Sequence, residues 1–187
     1  GAKAGSWART VVTLDPEDPH SPDVLYALVQ RANARALRTY PVSQGLYDHP
    51  ANRRLWAAVR DLGITVNSLL NRASHADELA RLLADFPEVP VVLDHCIALD
   101  VKQEFDLKVR RVVELARFKN LHAKVTYLPT GSGEQYPFRD MHAATRQIID
   151  AYGAERCVWG SDYPTELWCP KVTYQQLLDR TCRLANA

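Results

Sequence analysis

Short apolar runs alternate with amphipathic stretches along most of the chain. The apolar runs are six to eight residues long and rich in β-branched residues, which is typical of buried strands. They predict strands at residues 9–14, 35–40, 64–70, 90–96, 121–128 and 156–161. Between these runs, apolar residues recur at every third or fourth position, which predicts helices with one buried face.

Local signals mark the ends of several predicted helices. Ser21 can cap the first helix, with Pro22 at its first position, and Ser74 can cap the third. Gly63 is placed to end the second helix, which is predicted over residues 52–62. The remaining helices are predicted over residues 101–118, 139–152 and 171–184.

Strands that alternate with helices predict an α/β fold, in which a parallel sheet is built of right-handed βαβ units. The sheet could be open and doubly wound, or it could be part of a (β/α)8 TIM barrel, and periodicity does not distinguish the two. A barrel needs eight strands and about 250 residues, so this chain of 187 residues would be two strands short. Because the sequence starts at Gly1 and its only methionine is Met141, we expect a piece that lacks an N-terminal part.

The composition is that of an ordinary globular protein, with 47% hydrophobic and 24% charged residues. No linker or low-complexity segment divides it, so we predict a single domain over residues 1–187. No apolar run approaches the roughly 20 residues that cross a bilayer, and no signal peptide is evident, so we expect a cytoplasmic protein. The 23 basic and 22 acidic residues are mixed along the chain, which disfavours nucleic-acid and membrane partners. The cysteines form no CxxC pair, which favours reduced thiols.

Two predicted strands end in residues that can carry chemistry. In parallel α/β folds the carboxyl ends of the strands share one rim, where active sites lie. "VVLDHC" ends in Asp94 and His95, and "RCVWGSDYP" places Asp162 just beyond its strand. Asp162 could bind a metal or take a proton from water, and His95 could act as an electrophile, ligand or proton carrier. The alternatives are that Ser161 or Asp162 caps a turn before Pro164 and that His95 is a hydrogen-bonded structural residue.

Two cations lie within strands that must be mostly buried. Arg38 in "RALRTY" and Lys124 in "HAKVTY" therefore need partners. Either side chain could hold a substrate carboxylate, because guanidinium binds it in a bidentate manner and ammonium acts as a point charge. The alternative for each is a structural ion pair with another strand.

Three stretches on successive strands resemble the amidohydrolase-related family of TIM-barrel hydrolases: "VVLDHC", "LHAKVTYLPTG" and "AYGAERCVWGSDYP". That family includes sugar lactonases, pyrone dicarboxylate lactonase and a metal-dependent decarboxylase. The resemblance runs over residues 9–184, and residues 160–164 are its most specific part. It implies that Asp162 binds a divalent metal or activates water as a base, and that His95 polarises the substrate carbonyl.

The resemblance also implies which part of the barrel is present. The six strands would be the third to the eighth, and the His-x-His metal pair of the first strand does not occur in this sequence. Where relatives with firm zinc dependence have a fifth-strand histidine, this chain has Asn67 and Asn71. At most one divalent ion, zinc or manganese at Asp162, is expected, and the lactonase branch that needs little or no metal is favoured. Arg38 and Lys124 match positions that are basic in many relatives, which implies an anionic or polyhydroxylated small-molecule substrate.

We therefore expect a hydrolase that opens a lactone or related cyclic ester, with Asp162 and His95 as catalytic residues and Arg38 and Lys124 as substrate-binding residues. The enzymatic alternative is a metal-dependent decarboxylase. The alternative from another class is a non-catalytic barrel fragment that serves as a structural or interaction domain. Exposed strand edges of an unclosed barrel would favour association with another chain, so a homo-oligomer is compatible with the sequence.

Overall fold

Six parallel strands form one sheet in which neighbours in sequence are neighbours in space. The computed structural model describes residues 8–162 and 171–185. The strands are β1 (Thr10–Thr13), β2 (Ala34–Thr39), β3 (Thr65–Leu69), β4 (Val91–Asp94), β5 (Leu121–Val125) and β6 (Cys157–Trp159). Five lie within the predicted runs and β2 begins one residue before its run, so the prediction of a parallel α/β sheet is confirmed.

The long helices also follow the prediction, and two single turns were not predicted. The helical elements are α1 (Ser21–Ala32), α2 (Pro50–Leu62), α3 (His75–Asp85), α4 (His95–Ala98), α5 (Phe105–Leu115), α6 (Leu128–Gly131), α7 (His142–Tyr152) and α8 (Tyr174–Ala185). α4 and α6 are the single turns, and each follows a strand at the carboxyl rim. No helix in the described ranges is long and apolar enough to cross a membrane.

Several predicted boundaries and caps differ from the structure, and three of these differences have clear local reasons. α5 begins at Phe105 rather than at residue 101, because the Asp100 carboxylate accepts a hydrogen bond from the Lys102 amide and stabilises a turn. Ser21 does not cap α1, because its hydroxyl donates to the Asp15 carbonyl. β5 ends at Val125 rather than at residue 128, because the chain turns there into α6.

The order of the strands decides between the two candidate architectures. A doubly wound sheet reverses its strand order at a switch point, which places helices on both faces. Here the order runs from β1 to β6 without reversal, so crossovers of one hand place the helices on one side. The other face is the interior of a partial TIM barrel. Val11 of β1 and Val158 of β6 on that face are 49% and 37% exposed, because no described strand pairs with the outer edge of β1 or β6.

The strand register places the polar residues together on the inner face. Arg38 pairs with Asn67 of β3, Leu69 pairs with Asp94, and Lys124 pairs with Val158. Because side chains alternate along a strand, the apolar neighbours of these residues point outward into the helical layer. The carboxyl ends of β2, β4 and β5 therefore carry charge over a core that is almost wholly apolar.

α6 packs so tightly against the segment after α4 that one position must be glycine. A Cβ atom at Gly131 would lie 2.0 Å from the backbone oxygen of Leu99, whereas a Cβ at Gly133 would make only ordinary contacts at 3.4 Å and beyond. The Gly131 carbonyl also accepts a hydrogen bond from the Val101 amide at 2.9 Å. We therefore expect Gly131→Ala to lower the free energy of unfolding by about 1–3 kcal/mol through forced backbone movement.

Urea unfolding of the protein with Gly131→Ala would measure this loss. Gly133→Ala is the matched control and should change the free energy of unfolding by less than about 0.5 kcal/mol. Equal stability of the two variants would contradict the close approach of α6 to Leu99.

Candidate active site

A buried carboxylate lies at the carboxyl end of β4. Asp94 is fully shielded from solvent, and Lys124 donates a hydrogen bond to its Oδ1 at 2.9 Å. Nη2 of Arg38 lies 2.8 Å from Oδ2, an ion-pair distance at an angle too poor for a hydrogen bond. Both cations predicted to bind substrate thus already have a carboxylate partner, which agrees with the alternative of a structural ion pair. Their contact with a substrate stays a prediction.

The two cations leave this cluster with one net positive charge. The Arg38 side chain is 32% exposed and that of Lys124 is 19% exposed, so both reach from Asp94 toward the solvent of the barrel interior. A carboxylate at 0% exposure is stable only when such partners replace its lost hydration. Asp94 was seen in the sequence only as a strand-ending acid, since its partners Arg38 and Lys124 lie on other strands, far from it along the chain.

His95 lies in a left-handed turn immediately after Asp94. Its φ of 51° is followed by 47°, 64° and 46° at Cys96, Ile97 and Ala98, a region that costs residues other than glycine roughly 1–2 kcal/mol each. Cys96 and Ile97 are fully buried, which offsets part of this cost. Lys108, itself 1% exposed, donates a hydrogen bond to the Ala98 carbonyl at 3.1 Å and fixes the far end of the turn. The turn therefore aims the His95 ring at a defined point of the rim.

A hydroxyl group orients the His95 ring. Nδ1 of His95 lies 2.7 Å from Oγ1 of Thr126, a buried residue that directly follows β5. Nε2 of His95 makes no hydrogen bond to any residue in the described ranges and remains for a ligand. When the threonine hydroxyl donates to Nδ1, Nε2 carries the proton and can donate it to an oxygen atom. Thr126 was missed in the sequence because the predicted strand continued past it.

Burial lowers the pKa of His95, and the nearby cations Lys124 and Arg38 act in the same direction. The carboxylates of Asp94 and Asp162 oppose this shift without cancelling it. The imidazole is therefore neutral at neutral pH, which is the form that can donate from one nitrogen while accepting at the other.

Asp162 and His95 line the same pocket. The pocket has a volume of about 260 Å³, and Tyr127 and Asp100 also line it. Asp162 is exposed and has a φ of 53°, which turns the chain sharply at the exit of β6. Asp162 and His95 thus meet in one pocket at the carboxyl rim. Tyr163 and Pro164, the end of the most specific motif, lie outside the described residues.

Gly160 of that motif leaves no room for a larger side chain. A Cβ atom at Gly160 would lie 2.7 Å from Cγ2 of Thr126 and 3.1 Å from Cε of Lys124. The chain leaving β6 therefore passes directly over the two side chains that hold His95 and Asp94. A side chain at this position would displace Thr126, the partner of the catalytic candidate His95.

A family model described as Amidohydrolase matches residues 2–185 of this chain. The chain belongs to the amidohydrolase family. The resemblance of the strand-end motifs is confirmed by this match, which covers β1 to β6 and the whole described rim.

This chain matches individual amidohydrolase relatives over only part of their length. L-fucono-1,5-lactonase of Burkholderia ambifaria is 29% identical over 94 residues, which are 48% of this chain and 31% of the lactonase. An amidohydrolase of Burkholderia multivorans solved with bound zinc is 18% identical at a TM-score of 0.79, over 96% of this chain and 66% of that one. The chain therefore spans less than two thirds of either relative.

Two further solved structures share the fold. A protein described as a probable 2-pyrone-4,6-dicarboxylic acid hydrolase of Acinetobacter baumannii, with citric acid bound, is 16% identical at a TM-score of 0.68, over 96% of this chain and 66% of that one. The 5-carboxyvanillate decarboxylase of Sphingomonas paucimobilis is 15% identical at a TM-score of 0.58, over 95% of this chain and 66% of that one. At these identities the likeness shows the TIM-barrel fold, which confirms the partial barrel.

The residues of the rim do not assemble the metal site that an amidohydrolase can hold. Within residues 8–162 and 171–185, no three histidine, cysteine, aspartate or glutamate side chains converge. Asp94 already has a cation at each carboxylate oxygen, and Asp162 with His95 would supply only two ligands. We therefore derive no step through a metal, and zinc or manganese at Asp162 stays a prediction.

Removal of the buried carboxylate tests the charge cluster. Asp94→Asn would leave Arg38 and Lys124 facing each other without an anion, so we expect the free energy of unfolding to fall. The loss should be about 2–3 kcal/mol, below the roughly 3–5 kcal/mol of a fully buried pair, because the cations keep 32% and 19% exposure. Urea unfolding measures it.

The matched control is Asp85→Asn. This carboxylate is 54% exposed and pairs with Arg53 on the surface, so its removal should cost less than about 1 kcal/mol. If the Asp94 variant is no less stable than this control, the cluster does not stabilise the fold.

The lowered pKa of His95 makes a second prediction. A folded pKa below the unfolded value means that the unfolded chain binds more protons, so this histidine's contribution to stability is complete above about pH 6.5 and is lost as the pH falls. We expect NMR titration of the His95 ring to give a midpoint below about 6.5. Asp162→Asn should lower it further, because the Asp162 carboxylate raises the pKa of His95.

The resonance can be assigned with His95→Gln. A midpoint at or above the ordinary value, or an increase in the Asp162 variant, would contradict the described surroundings of the ring.

Proposed function

We propose that this amidohydrolase opens a lactone or related cyclic ester by hydrolysis. The observation that carries the proposal is the pairing of Asp162 with a neutral, oriented His95 in one pocket at the carboxyl rim. A base and a hydrogen-bond donor that line one small pocket suit attack of water on a carbonyl group. The partial match to a lactonase agrees with this chemistry.

Asp162 and His95 have separate roles in the proposed reaction. Asp162 takes a proton from water as the water oxygen attacks the carbonyl carbon. Nε2–H of His95 donates to the carbonyl oxygen as negative charge develops there, with Nδ1 accepting from the Thr126 hydroxyl. The ring C–O bond then breaks, and the leaving alkoxide takes the proton held by Asp162. The product is an open-chain hydroxy acid, and the base is regenerated.

The substrate is proposed to be a small anionic or polyhydroxylated molecule. The net positive charge of Arg38, Lys124 and Asp94 faces the barrel interior and attracts anions toward the rim. Citric acid bound to a related structure is consistent with an anionic ligand in this fold. A cytoplasmic location and a homo-oligomeric state stay predictions from the sequence.

The two alternatives from the sequence have less support. The decarboxylase shares the fold, but this chain has Asn67 and Asn71 where relatives with firm zinc dependence have a fifth-strand histidine. The non-catalytic reading draws on the exposed inner-face valines of β1 and β6. It does not account for a buried threonine that orients a half-buried histidine toward a pocket.

Asp162→Asn separates catalysis from stability. Loss of the base should lower kcat for lactone hydrolysis by about 10²- to 10⁴-fold. Because Asp162 is exposed, the free energy of unfolding should change by less than about 0.5 kcal/mol. The full-length protein should be assayed on a panel of sugar and dicarboxylate lactones, with urea unfolding of the same samples.

Asp150→Asn is the matched control, because Asp150 is an exposed carboxylate of α7 that does not line the pocket of His95 and Asp162. Equal loss of activity in the two variants, or an unchanged rate in Asp162→Asn, would exclude Asp162 as the base.

A further inference from the structure

A second, larger pocket adjoins the candidate active site. Its volume is about 370 Å³, and its walls include Tyr40, Leu70, Asn71, Arg72, His75 and Ala98. Ala98 also lines the pocket of His95 and Asp162, so the two pockets share a wall at the end of the left-handed turn. The larger pocket lies at the carboxyl ends of β2 and β3, and the smaller one at those of β4, β5 and β6.

The two pockets carry opposite charge. The larger pocket is lined by one cation, Arg72, and by no acidic residue, whereas Asp100 and Asp162 line the smaller one. The Arg72 side chain is exposed and makes no ion pair or hydrogen bond within the described ranges. Arg38 and Lys124 are already paired with Asp94. Arg72 thus lines the larger pocket without a carboxylate partner among the described residues, so its charge is available for a ligand.

The loop opposite Arg72 is fixed in place before any ligand binds. The carbonyl of Gly45 lies 3.2 Å from Nε2 of the buried His75, and a Cβ at Gly45 would lie 3.5 Å from Nη1 of Arg72. Asn52 donates hydrogen bonds to the carbonyls of Tyr40 and Tyr47, both at 2.9 Å. The guanidinium therefore lies against a rigid wall, which lowers the entropy lost on binding.

A buried polar atom without a partner within the described ranges belongs to His75, another residue that lines this pocket. Nδ1 of His75 has no hydrogen-bond partner in the described residues, although the residue is only 2% exposed. The His75 side chain packs beneath the Gly45 loop, where its Nε2 lies next to the Gly45 carbonyl. A buried polar atom without a partner is uncommon in folded proteins and often marks a site that a ligand or water completes.

We propose that the Arg72 pocket binds a carboxylate of the substrate, while the scissile ester lies at His95 in the adjoining pocket. This rests on the proposed hydrolase function and narrows its substrate to lactones that carry a carboxylate remote from the ester. Asn71 can add an amide donor to the same carboxylate. The acidic residues of the smaller pocket repel this group, so the two pockets together fix which end of the substrate reaches Asp162.

Arg72→Gln tests the assignment, with Arg110→Gln as the matched control. Arg110 is an exposed arginine of α5 that lines neither pocket. With a carboxylate-bearing lactone, Arg72→Gln should raise KM about tenfold, the lower range for a charge-assisted hydrogen bond, with little change in kcat. The neutral methyl ester of the same lactone should be hydrolysed equally by wild type and both variants. Equal effects of Arg72→Gln on the acid and the methyl ester, or none on either, would overturn the assignment.

A binding measurement keeps the test independent of catalysis. Citrate titrated into wild type by calorimetry should bind about tenfold more weakly to Arg72→Gln and with unchanged affinity to Arg110→Gln. If no lactone is hydrolysed but citrate affinity still depends on Arg72, the hydrolase proposal fails and the carboxylate site stands. If lactones are hydrolysed and citrate affinity is the same in all three proteins, the carboxylate site is wrong and the hydrolase proposal stands.

Discussion

Asp94 holds a negative charge with no contact to water, and such a charge is stable only when cations reach it. Those cations come from β2 and β5, so three strands must meet in one register at their carboxyl ends. A slip of one residue would turn Arg38 or Lys124 into the apolar helical layer and leave the carboxylate alone. The ion pairs therefore fix the rim on which the candidate active site stands.

The side chains at the carboxyl rim have defined positions because surrounding contacts hold a strained backbone turn in place. The left-handed turn from His95 to Ala98 costs several kcal/mol by the usual penalty for residues other than glycine. Burial of Cys96 and Ile97 and the hydrogen bond from Lys108 offset that cost. Strain of this kind persists only where packing over-determines it, and it is commonly found at functional sites. The result is a His95 ring of fixed orientation in the pocket of Asp162, and its Nε2 has no hydrogen-bond partner among the described residues.

Much of this arrangement could be predicted from the sequence, and the remainder depends on contacts across the barrel. The strand runs and the two strand-end motifs located His95 and Asp162, because periodicity and the shared rim of parallel strands are local properties. Thr126 could not be recognised, since its role depends on where β5 ends relative to a turn after β4. Arg72 gave no signal either, because an arginine after a strand is unremarkable until its neighbours are known to lack carboxylates. Single turns such as α4 and α6 are too short to show a period.

Charge placement around the rim explains why four basic side chains do not compete for the same role. Arg38 and Lys124 serve the buried carboxylate, Lys108 serves a backbone carbonyl, and Arg72 faces a pocket without an anion. A ligand that drew Arg38 or Lys124 away would leave the buried Asp94 carboxylate without its ion-pair partner. These cations therefore act on a substrate best through their electrostatic field, without leaving Asp94 to form a new ion pair. Arg72 can bind a carboxylate without leaving another charge of the rim unpaired. The same rim can therefore keep its structural ion pairs intact while it binds and orients the proposed anionic substrate.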